Sequence, residues 1–285
     1  MGGQKSLKQQ IADHIGRSGL RLPVFNPIAL ELQTLLRDEN ADLSRIESAI
    51  AKDPALVVQV LRLANSALYA GLNEITTVRQ ALMRLGARRV SRLATAAAQL
   101  SLYRSNDALL AGYMTDLWLH AYACALGASW LAEKSAHTHL TEAAFLAGLL
   151  HDIGKLLILK TIEDITVKEH GTPPPRHLVD DMLDCLHCEF GYTLMKGWNL
   201  PEAYCVIGRD HHEAHADDHM PLMLLVRLAD QVCDKLGIGC EPQPDAVPSA
   251  SYEAQVLRLT DIRMAELEIM LEDNALAPEP AAVSH

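Results

Sequence analysis

The chain has 285 residues, with 25 Lys and Arg against 36 Asp and Glu, so its formal net charge is −11 when the 13 histidines count as neutral. Hydrophobic residues make up 49% and charged residues 21% of the chain, which is typical of a folded globular protein and excludes disordered, collagen-like and disulfide-scaffold classes. The acidic balance argues against nucleic acid as a general partner, because nucleic-acid binders normally carry a basic excess.

No segment favours a membrane or secreted protein. The longest strongly apolar stretch without a charge, from Leu117 to Ala132, has 16 residues, fewer than the roughly 20 that a transmembrane helix needs. No basic start, apolar core and cleavage site form a signal peptide. The six cysteines are therefore expected to be reduced, and we expect a cytoplasmic protein.

Helical periodicity dominates the first part of the chain, where prolines and acidic residues mark the helix starts. The predicted helices cover 7–15, 27–36, 42–51, 54–71, 77–85 and 87–102. Asp53-Pro54 is a clear start signal, because a carboxylate cap precedes a proline at the first helical position. No window shows the period-two alternation of a strand. The sequence predicts a bundle of short helices up to about Tyr103.

A polar break at 104–107 precedes a region of longer predicted helices. These cover 109–134, 142–159, 178–196, 201–210, 221–236 and, after a Pro- and Gly-rich linker, 251–273. We divide the all-α chain into an N-terminal helix and leader, an N-terminal lobe, a second lobe, and a C-terminal part with linker, short helices and tail. Their predicted bounds are 1–21, 22–105, 106–237 and 238–285.

Histidines are concentrated in the second lobe. Only His14 lies before residue 120, and the other twelve lie at or after it. The string LLHDIGK at 149–155 sets His151 beside Asp152, and on a helix these side chains would point about 100° apart into one polar cleft. An imidazole next to a carboxylate that can bridge suits a pair of divalent ions. Alone, the dipeptide is a weak signal, since chance His-Asp pairs are common.

Further candidate ligands lie on neighbouring predicted helices. They are Asp116, His120, His187, His211, His212 and Asp230. Asp116 precedes His120 by four residues, so both lie on one helix face. His120 could instead be a core histidine, and Asp230 could pair with Arg227. Taken together, the candidates favour a metal site at the polar edges of several helices.

Short motifs in a fixed order carry a resemblance to a known family. They are LP at 22–23, DPAL at 53–56, LRLANSA at 61–67, ALMRLG at 81–86, LWLH at 117–120, AGLLHDIGK at 147–155, WNLP at 198–201 and HH at 211–212. Over about three quarters of its length the chain resembles the HDOD domain, a signalling-associated relative of the HD superfamily of metal-dependent phosphohydrolases. The resemblance implies a helical N-terminal lobe, an HD-like lobe and a partner protein in bacterial signalling.

Many members of that family lack part of the HD ligand set, whereas this chain retains it. The positions that match the dinuclear iron or manganese ligands of the HD-GYP type of cyclic di-GMP phosphodiesterase are His120, His151, Asp152, His187, His211, His212 and Asp230. The resemblance implies two divalent transition metals, foremost iron, with manganese, nickel or zinc as alternatives. It makes Asp152 the bridging ligand, Lys155 the phosphate-facing cation and Asp116 an additional carboxylate. No Gly-Tyr-Pro loop follows His211-His212, so cyclic-dinucleotide specificity is not implied.

Two other features have competing interpretations. Cys185 and Cys188 could form half of a structural zinc site, but the chain has no second such pair, and packing as small apolar residues is favoured. A basic run could bind an anionic partner, although a solvated helix face paired with nearby acids is favoured. The run comprises Arg79, Arg84, Arg88, Arg89 and Arg92.

The sequence leaves two functions open. In the first, the protein is a signalling module that binds a partner protein and carries a structural or sensory metal site. In the second, it is an active phosphohydrolase or phosphodiesterase on a phosphate-containing ligand, either a nucleotide or a cyclic dinucleotide. The ligand set favours metal binding in both cases, so it does not separate the two functions. The N-terminal lobe, which carries the strongest resemblance and no obvious catalytic residue, favours the module.

Overall fold

The computed structural model describes residues 7–18, 27–36, 42–66, 69, 71, 73–100, 102–168, 171–213, 220–239 and 242–274. Throughout these ranges the regular structure is helical and no strand occurs, so the predicted all-α class is confirmed. The LP motif at 22–23, Ala67, Cys240 and the predicted tail after 274 lie outside the described residues. None of the described helices has both the length and the apolar character needed to cross a membrane.

The described part of the chain up to Leu100 forms six short helices. They are α1 (Leu7–Ser18), α2 (Pro27–Leu36), α3 (Leu43–Ala51), α4 (Pro54–Ala64), α5 (Val78–Leu85) and α6 (Ala87–Leu100). Helix α6 packs against α2, α4 and α5 of the predicted N-terminal lobe and contacts the second lobe, whereas α1 packs against the second lobe. The predicted starts are confirmed at α3 and α4: Asp42 caps the Ser44 amide, and the Asp53 carboxylate accepts hydrogen bonds from the amides of Ala55 and Leu56. Each such cap stabilises the protein by about 1 kcal/mol.

Helix α4 ends earlier than the apolar stripe predicts. The expected end near Gly71 is wrong, because the helix stops at Ala64 and Asn65 follows as its C-cap. The Asn65 side chain accepts a hydrogen bond from the Ile75 amide and donates one to the Ile75 carbonyl, both at 2.8 Å. Local periodicity does not reveal this long-range pair, which ties the end of the helix to Ile75.

The second lobe is built on a long central helix. Its helices are α7 (Ala108–Lys134), α8 (Thr141–Leu150), α9 (Ile153–Lys168), α10 (Arg176–Gly197), α11 (Glu202–Asp210) and α12 (Pro221–Lys235), followed by α13 (Tyr252–Val256) and α14 (Asp261–Asn274). Helix α7 packs against α8, α12 and α14, while α10 packs against α9 and α11. The buried side chains of both lobes form one continuous hydrophobic core.

The predicted continuous helix over 142–159 is wrong, because it breaks at His151-Asp152 into α8 and α9. The His151 ring hydrogen-bonds through Nδ1 to the Gly148 carbonyl at 2.8 Å, and the Lys155 amide donates to the Asp152 carbonyl at 2.9 Å. The break places both residues at a helix junction rather than along one helical face.

Two glycines let the ligand-bearing helices touch. A Cβ atom at Gly148 would lie 2.8 Å from the Cys124 carbonyl oxygen of α7, and one at Gly154 would lie 1.9 Å from the His187 carbonyl oxygen of α10. Both separations are shorter than van der Waals contact, so a side chain at either position would push two helices apart. The backbones flanking the junction therefore pack directly on α7 and α10.

Part of the basic run joins the two lobes. Arg92 of α6 hydrogen-bonds to both carboxylate oxygens of Glu142 and reaches Glu133 at 3.1 Å. Arg79 pairs with Glu47 at 3.2 Å. These pairs agree with the interpretation of the run as a helix face paired with nearby acids.

Candidate metal centre

Seven of the eight predicted ligands converge where the helices of the second lobe meet. His120 comes from α7, His151 and Asp152 from the α8–α9 junction, His187 from α10, His211 and His212 from the end of α11, and Asp230 from α12. All except the exposed His212 are buried. Four helices and the α8–α9 junction thus contribute side chains to one polar centre inside an apolar core.

The first group of ligands, which we call the carboxylate cluster, consists of His120, His151 and Asp230. The Nε2 atoms of the two histidines are 3.3 Å apart, and the Asp230 Oδ1 lies 3.0 Å from His120 Nε2 and 3.6 Å from His151 Nε2. Two nitrogen ligands bound tetrahedrally at about 2.0–2.1 Å from one ion lie about 3.3 Å apart. These separations therefore fit a common metal ion.

The second group, which we call the thiol cluster, consists of His187, Cys188, His211 and His212. Their ligand atoms all lie within 4.8 Å of one another. His187 and His211 are buried, Cys188 is half-buried and His212 is exposed, so this cluster has one edge towards solvent.

Asp152 lies between the two clusters. Its Oδ2 is 3.6 Å from the Nε2 atoms of both His120 and His151, and its Oδ1 is 3.5 Å from the Nε2 atoms of both His187 and His211. Each oxygen thus faces one cluster, as a bridging carboxylate requires. The Lys155 ammonium lies 2.9 Å from Oδ2.

Backbone carbonyls orient the four buried imidazoles. The Nδ1 atoms of His120, His151, His187 and His211 lie 2.7–3.1 Å from the carbonyl oxygens of Ile238, Gly148, Leu183 and Ile207, respectively. A carbonyl only accepts, so each Nδ1–H donates and each neutral ring turns the lone pair of Nε2 towards the centre. This is the tautomer that a metal-binding histidine needs.

The positions of the ligand atoms suit the binding of divalent metal ions better than hydrogen bonding to one another. Asp152 Oδ1 and His211 Nε2 are buried and have no hydrogen-bond partner among the described residues, and their separation of 3.5 Å is too long for a good hydrogen bond. A buried, unpaired polar atom costs about 1–3 kcal/mol, which ligation would offset.

Opposite charges face each other in the carboxylate cluster. Burial by itself lowers the pKa of His120, but the hydrogen bond and charge of Asp230 outweigh it and raise that pKa to about 9. Burial opposes the charge of Asp230, yet His120 and His151 hold the pKa of this carboxyl well below its usual value. Without metal, His120 and Asp230 therefore form a buried ion pair.

The thiol cluster has the opposite character. Burial lowers the pKa values of His187, His211 and His212, and the nearby Asp152 only partly compensates. These rings are neutral at pH 7 and need release no proton to bind a metal. Burial works against the charge of Asp152 itself, but Lys155 and the surrounding imidazoles keep the pKa of its carboxyl well below the usual range.

Asp116 lies apart from both clusters. It is half-buried on α7, one turn before His120, and belongs to none of the groups of ligand atoms found in the described part of the chain. Burial raises the pKa of Asp116 against the opposing charge of Arg176. Its part as an additional carboxylate stays a prediction.

The cavity at the centre is small. It has a volume of about 10 Å³ and is lined by both cluster and neighbouring residues, namely Leu117, His120, Asp152, Lys155, His212, Asp230 and Asp234. A space of this size accommodates about one water molecule. Four of the seven converging ligands thus line a narrow cleft.

Two contributions to the site do not follow from the sequence patterns. The Ile238 carbonyl, from the predicted linker, accepts the His120 hydrogen bond, and no side-chain motif marks a backbone acceptor. Cys188, expected to pack as a small apolar residue, lies among the histidines of the thiol cluster. Its position directly after His187 is the signal that could have indicated this.

Comparisons with known proteins agree with this architecture. The model of the HDOD domain family matches residues 22–214. An uncharacterized protein from Treponema pallidum (strain Nichols) is 29% identical over 233 residues, which represent 79% of this chain and 44% of the relative. The chain thus spans less than half the length of that curated relative.

Two solved structures share the fold. An HDOD domain protein with unknown function from Geobacter sulfurreducens superposes with a TM-score of 0.75 at 24% identity, over 98% of this chain and all of the other. A protein from Shewanella amazonensis SB2B, provisionally designated a metal-dependent phosphohydrolase, gives a TM-score of 0.71 at 18% identity over 96% and 99% of the two chains. At these identities the similarity establishes the fold.

Proposed function

Because the chain belongs to the HDOD domain family, we propose that it is a regulatory module in bacterial signalling whose second lobe holds two divalent metal ions in a structural or sensory site. One observation carries the proposal: ligand atoms from five separate segments converge, and the Asp152 carboxylate faces histidines of both clusters at 3.5–3.6 Å. The ligand atoms support metal binding, and their origin on five segments favours a role in which the metal ties the helices together.

Metal binding would stabilise the lobe through five segments at once. The ligands come from α7, the α8–α9 junction, α10, the end of α11 and α12, so an ion in either cluster joins helices that are distant in sequence. Anything that binds only the folded state stabilises it by about 4 kcal/mol at a concentration a thousand times its Kd. Metal occupancy could thereby be converted into a change in the rigidity of this lobe.

The N-terminal lobe suits contact with a partner protein. Its described residues contain no group of ligating side chains like those of the second lobe. We therefore assign partner binding to this lobe and metal binding to the other.

A phosphohydrolase is the second candidate, and Lys155 favours it. This buried ammonium lines the central cavity beside Asp152 and His212, although the proposed ligand sets do not include it. Two divalent ions in such a site supply Lewis acidity to a phosphoryl oxygen and lower the pKa of a bound water. Lys155 would then place its positive charge next to a non-bridging phosphate oxygen. Asp152 would bridge the two clusters.

Metal analysis tests the proposed centre. The purified protein is supplied separately with iron, manganese, nickel and zinc, desalted, and analysed for bound metal. We expect two equivalents of at least one metal, with iron favoured, and a higher melting temperature for the loaded protein. Less than one equivalent of every metal would contradict the proposal.

An activity panel separates the two functions. The metal-loaded protein is incubated with phosphomonoesters, nucleotides and cyclic dinucleotides, and the Asp152→Ala variant sets the background. A regulatory module should show no turnover above that background. Turnover of any of these substrates by the unmodified protein alone would favour the phosphohydrolase.

A further inference from the structure

Cys188 is directly adjacent to the histidines of the thiol cluster. It follows His187 on α10, so the two side chains point about 100° apart around the helix. The Cys188 Sγ lies 3.3 Å from His187 Nε2. Of the cysteines that the structure describes, Cys188 alone belongs to a group of potential ligands, whereas Cys185, one turn earlier on the same helix, is exposed.

The position of the sulfur fits a shared metal ion. With bond lengths of about 2.3 Å to sulfur and 2.0–2.1 Å to nitrogen, two ligands on a tetrahedron lie about 3.6 Å apart. The observed separation of 3.3 Å is close to this value. A second observation also points to a ligand: His211 Nε2 is buried in the same cluster without a hydrogen-bond partner among the described residues.

The hydrogen atoms of this pair can be assigned. His187 Nδ1–H donates to the Leu183 carbonyl, which leaves Nε2 as an acceptor and makes the Cys188 thiol the donor. On ligation the S–H bond breaks, the proton passes to solvent and a metal–sulfur bond forms, while the Nε2 lone pair turns to the same ion. No electron is transferred in this exchange.

We propose that Cys188 is a sulfur ligand of the metal ion held by His187, His211 and His212. This inference rests on the proposed metal centre and makes its two positions chemically different. Three imidazoles and a thiolate, beside the Asp152 oxygen that faces this cluster, favour a borderline or soft ion such as zinc, whereas the carboxylate cluster is better suited to iron or manganese. The centre would then be a mixed-metal site.

Cobalt substitution tests the proposal in the 285-residue chain. Co²⁺ is added to the metal-free protein, and absorption is recorded for the unmodified chain, Cys188→Ser and Cys185→Ser. Visible d–d bands report bound cobalt, and a near-ultraviolet charge-transfer band reports a thiolate ligand. We expect both features in the unmodified chain and in Cys185→Ser, loss of the charge-transfer band in Cys188→Ser, and at least about tenfold weaker binding of one equivalent in that variant.

The possible failures are distinguishable. Visible bands without a charge-transfer band would overturn the sulfur ligand and leave the proposed metal centre standing. A charge-transfer band that persists in Cys188→Ser would overturn the assignment to Cys188. If neither feature develops, both the centre and its sulfur ligand are contradicted.

A second measurement covers the case in which Cys188→Ser does not fold. X-ray absorption of the zinc-loaded, unmodified protein should show a sulfur neighbour at about 2.3 Å from zinc, and the folded Cys185→Ser variant should give the same spectrum. A first shell of nitrogen and oxygen alone would overturn the proposal.

Discussion

The two ligand clusters meet at the Asp152 carboxylate but stabilise their buried polar atoms in opposite ways. In the carboxylate cluster, His120 and Asp230 compensate each other's charge at 3.0 Å. In the thiol cluster, burial keeps the imidazoles neutral, and His211 Nε2 has no partner among the described residues. The difference indicates that the carboxylate cluster is internally paired without metal, whereas the thiol cluster is poised to receive one.

Removal of Asp152 should have the largest effect, because its two oxygens face both clusters. The Asp152→Ala variant should lose both metal equivalents and the rise in melting temperature on metal addition. Its metal-free form should also be destabilised by about 3–5 kcal/mol, since the buried Lys155 ammonium loses the carboxylate 2.9 Å away. Metal analysis and denaturant unfolding measure the two effects.

The exposed residue Asp181 of α10 provides the matched control for that variant. Asp181→Ala should keep both equivalents and an unfolding free energy within about 0.5 kcal/mol of the unmodified protein. Full metal content in Asp152→Ala would show that the two clusters do not share this carboxylate.

Asp230→Asn should separate the clusters. The amide keeps the shape of the side chain but removes the charge next to His120, so metal binding at the carboxylate cluster should fail while the thiol cluster keeps its ion. We expect the metal content to fall from two equivalents to one. Calorimetric titration would contradict the distinction between clusters if both equivalents were lost with similar changes in affinity.

His212→Ala should have a smaller effect. This side chain is exposed at the edge of the thiol cluster, so its loss leaves three buried or half-buried donors in place. We expect one equivalent to bind about ten- to a hundredfold more weakly, with the other unchanged. The exposed His177 on α10 serves as control, and an equal change in His177→Ala would show that the effect is not specific.

Protonation of the metal-free protein gives the finest comparison. By imidazole NMR, His120 should titrate with a pKa of about 9, whereas burial should lower the pKa values of His187 and His211 from the ordinary 6.5. Because the pKa of His120 is raised on folding, its contribution to stability is present below about pH 6.5 and is lost as the pH rises through about 9. Three rings that titrate together near 6.5 would contradict the difference between the clusters.

Local signals in the sequence predicted much of the fold. The caps at Asp42 and Asp53 were identifiable because a carboxylate and the amides that it binds lie within three residues. The break at His151-Asp152 was not, since buried apolar residues continue on both sides of it, from Leu149 and Leu150 to Ile153. Hydrophobic periodicity indicates which residues are buried, and buried residues continue without a gap across this junction.

The candidate site was predictable as a set of residues but not as an arrangement. Histidines and aspartates on successive helices indicated the ligands, whereas their division into two clusters depends on which helices touch. The acceptor for His120 is a backbone carbonyl at Ile238, which any residue could supply. The sequence favours packing for Cys188 because the chain has no second Cys-x-x-Cys pair, and this short spacing carries no information about the histidines that fold against it.

The contacts at Gly148 and Gly154 constrain the fold independently of the metal ligands. Ligands can be replaced one at a time by sequence drift, since a change in one ligand side chain leaves the helix–helix contacts in place, but a side chain at either glycine would disturb two helices together. Descendants that abandon the metal can therefore retain both glycines and the same scaffold. In a comparison of such lineages, the glycines would mark common ancestry, and the histidines would mark which members still bind an ion.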